Sequence, residues 1–324
     1  MQANIHHIWG VKTIIHNENN EEFERGSIII SNHQSILDPI LMLALSPNVL
    51  ILISEKVWKN PIVHILFKLA GFINLNQPME MLKEEIAKKV GEGYNVVLFP
   101  EGKRNEENIT RFHKGAFYIA QEIGADILPV YLHGVGHVMP KGSGFASRGQ
   151  IDIEVGKRIS ARDLFSFGAT DQLIAHHFQI DYQKKMEQWK KEIETTHYFR
   201  NTIISMYTYK GSDIGRETKR LLRQYDDFSL WIDNYDTSDC NNKISVVNAR
   251  HGQFPMLFAL VHPDIEVHSF TFDVDEAALC TSCIPMPINL HIHYCNDATD
   301  VIWDMKESRI IDMKEIFKHK RILS

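Results

Sequence analysis

Short apolar runs alternate with stretches of helical period along the first half of the chain, and this alternation predicts an α/β sheet. Seven stretches read as strands: Trp9 to Ile15, Gly26 to Ile30, Val49 to Ser54, Phe72 to Leu75, Asn95 to Phe99, Ile127 to Leu132 and Ile151 to Val155. The last alternates strictly and is expected at a sheet edge. Ile40 to Leu45, Ile62 to Ala70, Met79 to Glu92 and Lys114 to Ile123 read as helices, with Gly71 closing the second. Gly134, Gly136, Pro140, Lys141 and Gly142 suggest a flexible loop.

The pattern changes after Ala161. Asp171 to Glu194 is a charged helical stretch, a further run ends at Tyr209-Lys210-Gly211, and Ile214 to Tyr225 is again helical. Then comes a second alternation. Ile244 to Asn248, Glu266 to Phe272 and Asn289 to Cys295 read as strands, with helices over Phe254 to Val261 and from Asp275 to about Cys283. This is a βαβαβ, Rossmann-like half-sheet. The expected division is 1–165 for the first domain, 166–205 for a closing helix and linker, and 206–324 for the second domain.

Composition narrows the function classes. The 324 residues are 44% hydrophobic and 23% charged, with a net charge of −6. That is globular, and it gives no electrostatic case for nucleic acid. The longest uncharged run, Pro39 to Ser54, is broken by Pro47 and Asn48, so no spanning helix of about 20 apolar residues is expected. The first strand leaves no room for an anchor before it. The 4 cysteines lie in the last third, and without a secretory signal they point to a reducing, cytoplasmic setting. Cys280 and Cys283 form a lone CxxC and read as structural thiols. The 17 histidines are not set at metal-ligand spacing, and no metal site is expected.

Two strand ends carry candidate chemistry. In Ser31-Asn32-His33-Gln34-Ser35-Ile36-Leu37-Asp38 a histidine leaves the sheet, and an aspartate follows as the expected N-cap of a helix begun by Pro39. A carboxylate on one imidazole nitrogen fixes the tautomer and leaves the other nitrogen as a base. A polar turn in which His33 merely caps the chain is the other reading. The second is Phe99-Pro100-Glu101-Gly102-Lys103-Arg104-Asn105. Gly102 permits close backbone approach, and Lys103 and Arg104 suit a phosphate. Glu101 would orient them or a ligand hydroxyl. A plain charged surface loop is the alternative. The 62–70 helix, beside Trp58, fits either a membrane surface or a core.

The Asn32-His33-xxxx-Asp38 block resembles the NHxxxxD block of the glycerolipid (1-acyl-glycerol-3-phosphate) acyltransferases. Phe99 to Asn105 resembles their FPEGTRS block and Ile127-Leu128-Pro129-Val130 their VPV block, while Lys56 and the stretch 61–73 match the segment between the first two. The blocks keep family order across residues 9 to 160. The resemblance implies the family's mixed sheet with flanking helices, and His33 as general base oriented by Asp38. The acyl donor would be acyl-CoA or acyl carrier protein. Glu101, Gly102, Lys103, Arg104 and Lys56 would bind the acceptor, and no cofactor would be required. It further implies a peripheral place at the cytoplasmic face of a membrane. Three positions depart from the pattern. Lys103 and Asn105 replace a threonine and a serine, and Gln77 stands where an arginine usually grips the acceptor phosphate. The expectation is therefore an acceptor other than ordinary lysophosphatidic acid, a different lipid or polyketide-type hydroxyl.

The last third resembles the start of a class I S-adenosylmethionine-dependent methyltransferase. Asp273 would stand for its ribose-binding acid, Asp297 for its adenine-binding acid, and Gly252 for the survivor of its GxGxG turn. Arg250 and Phe254 would obstruct that turn. The expectation is a degenerate or truncated module that binds no S-adenosylmethionine. The order of the two parts resembles bacterial fusion proteins in which a lipid-exporter-type membrane portion precedes both, which implies a membrane transporter partner. Two alternatives to an acyltransferase are a non-catalytic lipid- or carrier-binding scaffold and a methyltransferase.

Overall fold

The computed structural model describes residues 4–8, 10–53, 73–106, 108–142, 146–165, 170–226, 229–236, 241–283, 286–296 and 308–316. The helix expected at 62–70, Trp58, Lys56, Cys240 and Asp297 lie outside the described residues. The chain divides into two compact units, residues 1–189 and 190–324. The break falls within the 166–205 stretch that the sequence pattern set between the two domains.

The first unit opens with a hairpin, β1 (Asn4–Ile8) and β2 (Val11–His16). Then follow β3 (Ser27–Ser31), α1 (Asp38–Leu45), β4 (Val49–Ile53) and β5 (Ile73–Asn74). Next come α2 (Met79–Gly91), β6 (Asn95–Leu98), α3 (Gly115–Ile123) and β7 (Ile127–His133). The unit closes with α4 (Val135–Val138), β8 (Gly149–Val155), α5 (Ala161–Phe165) and most of α6 (Asp171–Ile193).

The strands form one mixed sheet in the order β1-β2-β8-β7-β3-β6-β4-β5. β3 and β6 sit at its centre, run parallel, and are buried along their whole length. That is why both read as continuous apolar runs rather than alternating ones. Asn95 pins their register. Its side chain accepts from the Ser27 hydroxyl at 2.7 Å and donates to the Phe23 carbonyl at 2.6 Å. Phe117 of α3 packs on Phe178 of α6, with ring centroids 5.1 Å apart.

Two expectations need correction. β8 is not an edge strand: the hairpin pairs outside it through β2, in parallel. Alternation in β8 therefore reflects one polar face, not an open edge. The glycine-rich stretch after His133 is not all loop, because residues 135–138 form α4. Gly134 supplies the left-handed residue (φ +80°) that starts it.

The second unit contains α7 (Thr196–Thr208), α8 (Ser212–Tyr225) and α9 (Ser229–Asp233) ahead of its sheet. β9 (Lys243–Val247), α10 (Gln253–Val261), β10 (Glu266–Thr271), α11 (Val274–Thr281), β11 (Leu290–Tyr294) and β12 (Arg309–Asp312) follow. The four strands are all parallel, in the order β11-β10-β9-β12. α7 is not a linker. Its Phe199, Ile203 and Tyr207 lie in one core with Phe254 and Phe258 of α10.

Candidate active site

The carboxyl end of β3 carries the first motif. Asn32 is fully buried and bonds across to β7 like a piece of strand. Its amide donates to the Leu132 carbonyl and accepts from the Leu132 N–H, both at 2.8 Å. The chain then turns, and His33 emerges with 19% of its side chain exposed above an Asp38 that has none. His33 Nδ1 lies 2.7 Å from Asp38 Oδ2. The same oxygen accepts the backbone N–H groups of Gln34 at 2.6 Å and Ser35 at 2.8 Å.

Asp38 therefore does not cap the helix. It is the first residue of α1, with Leu37 at the N-cap, and its carboxylate folds back to close the preceding turn. Burial pushes its carboxyl up from the usual range, against the pull of His33 and the two backbone donors. The His33 ring stacks on Phe99, centroids 4.4 Å apart and planes 24° from parallel. With Nδ1–H donated to Asp38, Nε2 keeps its lone pair, and it has no hydrogen-bond partner among the described residues. This tautomer is the one a general base needs.

The second motif builds the other wall. Glu101 is only 2% exposed, and its carboxylate is turned inward. Oε1 accepts the His33 N–H at 2.9 Å, while Oε2 accepts the Thr110 N–H at 2.8 Å and hydroxyl at 2.7 Å. Asn105 N–H donates to the His33 carbonyl at 2.8 Å. Both backbone groups of the histidine are thus held by this loop, and Glu101 supports the site from behind. Gly102, with φ +66°, Lys103 and Arg104 are exposed and lie in the chain between Glu101 and Asn105, which make those two contacts.

Burial also raises the Glu101 carboxyl above its ordinary 4.5. Folding then favours the protonated form. That contribution is full below the ordinary value and is lost as pH rises through the raised one. A Glu101→Gln protein lacks the titration. Its melting-temperature deficit relative to the parent should be largest near pH 4 and shrink toward neutrality; a constant deficit across that range would contradict the burial argument.

Among the remaining sequence-predicted residues, Gln77 donates to Glu85 at 2.6 Å, so a carboxamide–carboxylate pair stands where an arginine was sought. Among the described residues no group of three His, Cys, Asp or Glu side chains is arranged to hold a metal ion. The motifs did not reveal Thr110, Asn32 as a strand bridge, or Tyr182 of α6. Tyr182 had one signal, its place in the apolar stripe Phe178, Tyr182, Met186, Trp189, since a buried phenol needs a partner.

In the second unit, Gly252 takes φ +79°, and a Cβ there would lie 2.1 Å from Cys280 Sγ. Its open side is filled by the protein itself. Asn248 and Arg250, at φ +58° and +52°, hold left-handed conformations in the same turn. The exposed Asp273 caps α11, its carboxylate accepting from the Asp275 N–H at 2.8 Å and the Glu276 N–H at 3.2 Å. The Cys280 thiol is pushed up to about 12 by burial, which suits a packed rather than a reactive thiol.

Residues 12–133, which hold both motifs, match the family model described as Acyltransferase. Its similar proteins carry a narrower name. The chloroplastic 1-acyl-sn-glycerol-3-phosphate acyltransferase LPAT1 of Arabidopsis thaliana is 30% identical over 151 residues, 44% of this chain and 42% of that protein. The 1-acyl-sn-glycerol-3-phosphate acyltransferase of Borreliella burgdorferi is 30% identical over 152 residues, 45% of this chain and 61% of that one. These names denote O-acyltransferases. The chain spans about half the length of the curated relatives it matches. The crystal structure of the 1-acyl-sn-glycerophosphate acyltransferase PlsC from Thermotoga maritima aligns with a TM-score of 0.47 at 23% identity, covering 54% of this chain and 72% of that one.

Proposed function

We propose that the first unit transfers an acyl group from a thioester, on CoA or acyl carrier protein, to a hydroxyl of a lysophospholipid or related lipid. One observation carries the reading: a buried carboxylate on His33 Nδ1, with Nε2 left free at a partly exposed strand end. Nε2 takes the acceptor hydroxyl proton as the oxygen attacks the thioester carbonyl. The tetrahedral intermediate then expels the thiolate, which leaves as thiol with the proton from the imidazolium. The products are an ester and a free thiol, and no cofactor enters the balance. General-base catalysis contributes about 10²–10⁴-fold. The exposed Lys103 and Arg104 suit an acceptor phosphate, with Lys56 as a third cation of the resemblance.

The acceptor is met at a membrane surface, at its inner face. Among the described residues no helix is long and apolar enough to span a membrane. Ile36 within the His33–Asp38 turn and Ile40 just after it, 58% and 62% exposed, supply apolar contact there. In the second unit, the parallel order β11-β10-β9-β12 supports a Rossmann-like, methyltransferase-type module. The filled side of Gly252 supports one that holds no S-adenosylmethionine. The proposed setting is a transporter-linked fusion.

The names of the relatives favour 1-acyl-glycerol-3-phosphate as acceptor, whereas the Gln77–Glu85 pair favours another lipid hydroxyl. Mass spectrometry of products from acyl-CoA and acyl carrier protein, offered with lysophosphatidic acid or with a total lipid extract, separates them. The expected result is a new ester, formed with release of thiol. No ester from any pair would leave a non-catalytic lipid-binding role.

A further inference from the structure

Tyr182 lies on α6, well beyond the matched residues 12–133, yet its hydroxyl reaches the strand that delivers His33. The side chain is fully buried. Its hydroxyl donates to the Ile30 carbonyl at 2.6 Å and accepts the Val130 N–H at 3.2 Å, with the Val130 carbonyl at 3.3 Å. Ile30 belongs to β3 and Val130 to β7, which pair in parallel with Ile30 opposite Pro129 and Ser31 opposite Val130. The phenol bridges the two strands three residues before His33. Two residues further on, just past the end of β3, the Asn32 amide makes a second side-chain bridge, to Leu132.

The same ring meets the loop that holds the histidine. Phe112 packs edge-on against Tyr182 with centroids 5.2 Å apart, and the Phe112 N–H donates to Gln179 of α6 at 3.3 Å. That loop also presents Glu101 and Thr110. One helix thus touches both the strand end and the loop on which the His33 backbone hangs.

We propose that Tyr182 is a positioning residue for the histidine base: its hydroxyl ties β3 and β7 to α6 so that the His33 ring meets Asp38 on one side and the acceptor on the other. The kinetic arm of the test rests on the acyl-transfer reading; the spectroscopic arm does not. In Tyr182→Phe the ring stays, but the Ile30 carbonyl loses its phenol donor and the Val130 N–H loses a second acceptor beside the ladder pairing of the two strands. That loss is expected to shift the strand end. A shift near 1 Å at a reacting group costs up to about a hundredfold in rate.

The experiment compares parent and Tyr182→Phe by acyl-transfer kinetics, by the pH profile of kcat/KM, and by ¹⁵N NMR of the His33 imidazole. The expected result is kcat lowered about tenfold to a hundredfold at nearly unchanged KM, a moved pH profile and a shifted imidazole signal. Unchanged kcat and an unchanged signal overturn the proposal. So does a lower melting temperature with activity lost only in proportion to unfolded protein and the signal unmoved, which assigns Tyr182 to packing alone. If Tyr182→Phe does not fold, fluorotyrosine placed at 182 alters the hydroxyl and keeps the ring, and an unmoved His33 signal there also overturns it. A parent protein that forms no ester in any assay counts against the acyl-transfer reading, and the NMR comparison still decides the role of Tyr182.

Discussion

Replacing His33 with alanine should lower kcat/KM for acyl transfer by about 10²–10⁴-fold and leave the fold standing. The imidazole is the base of the proposed reaction, and among the described residues no other histidine sits on the motif turn with a buried carboxylate on one nitrogen. The backbone contacts that fix the turn, Glu101 to the His33 N–H and Asn105 to its carbonyl, do not depend on the side chain. The substitution removes the stacking on Phe99 and one of the three donors to the buried Asp38 oxygen, so the melting temperature should fall by what about 1–3 kcal/mol of stability allows. Activity tracked beside thermal melting separates the two effects. Retained transfer would remove His33 from the mechanism.

Asp38→Asn should also lower kcat, by a different route. An asparagine oxygen in the place of Oδ2 can still accept the Gln34 and Ser35 N–H groups and the His33 Nδ1–H, which preserves the turn and the tautomer. What is lost is the negative charge that stabilises the imidazolium formed during transfer. A hydrogen bond to a charged group contributes about 1.5–3 kcal/mol, so kcat should fall by about tenfold to a hundredfold. The burial that raises the Asp38 carboxyl adds a pH signature. The parent should lose activity as pH falls through a range above that of a free aspartate. A variant with parental kcat would show that the carboxylate is structural only.

Much of this arrangement is readable in the residues. The run into Ser31-Asn32-His33 is apolar and β-branched because β3 is covered on both faces, so both the strand and its end can be found. The five-residue step to Asp38 likewise announces the pair. What the motif hides is direction. Asp38 looks like an N-cap, and only the folded turn aims its carboxylate backward at the histidine. Glu101 looks like a ligand for substrate because it stands beside two cations, yet the chain turns it inward. Thr110 and Tyr182 carry no local mark: their partners are 9 and 152 residues away in sequence. β8 reads as an edge because pairing by a distant hairpin leaves no trace in its own alternation. β12 escapes notice because four residues, Arg309–Asp312, are too few to display a period.

The histidine tautomer is open to direct observation. In ¹⁵N-histidine-labelled protein near pH 8, the His33 signals should show Nδ1 carrying the proton and Nε2 bare, and Asp38→Ala, which removes the accepting oxygen, should abolish that preference. His33 protonated on Nε2 in the parent, or signals that do not respond to Asp38→Ala, would contradict the account.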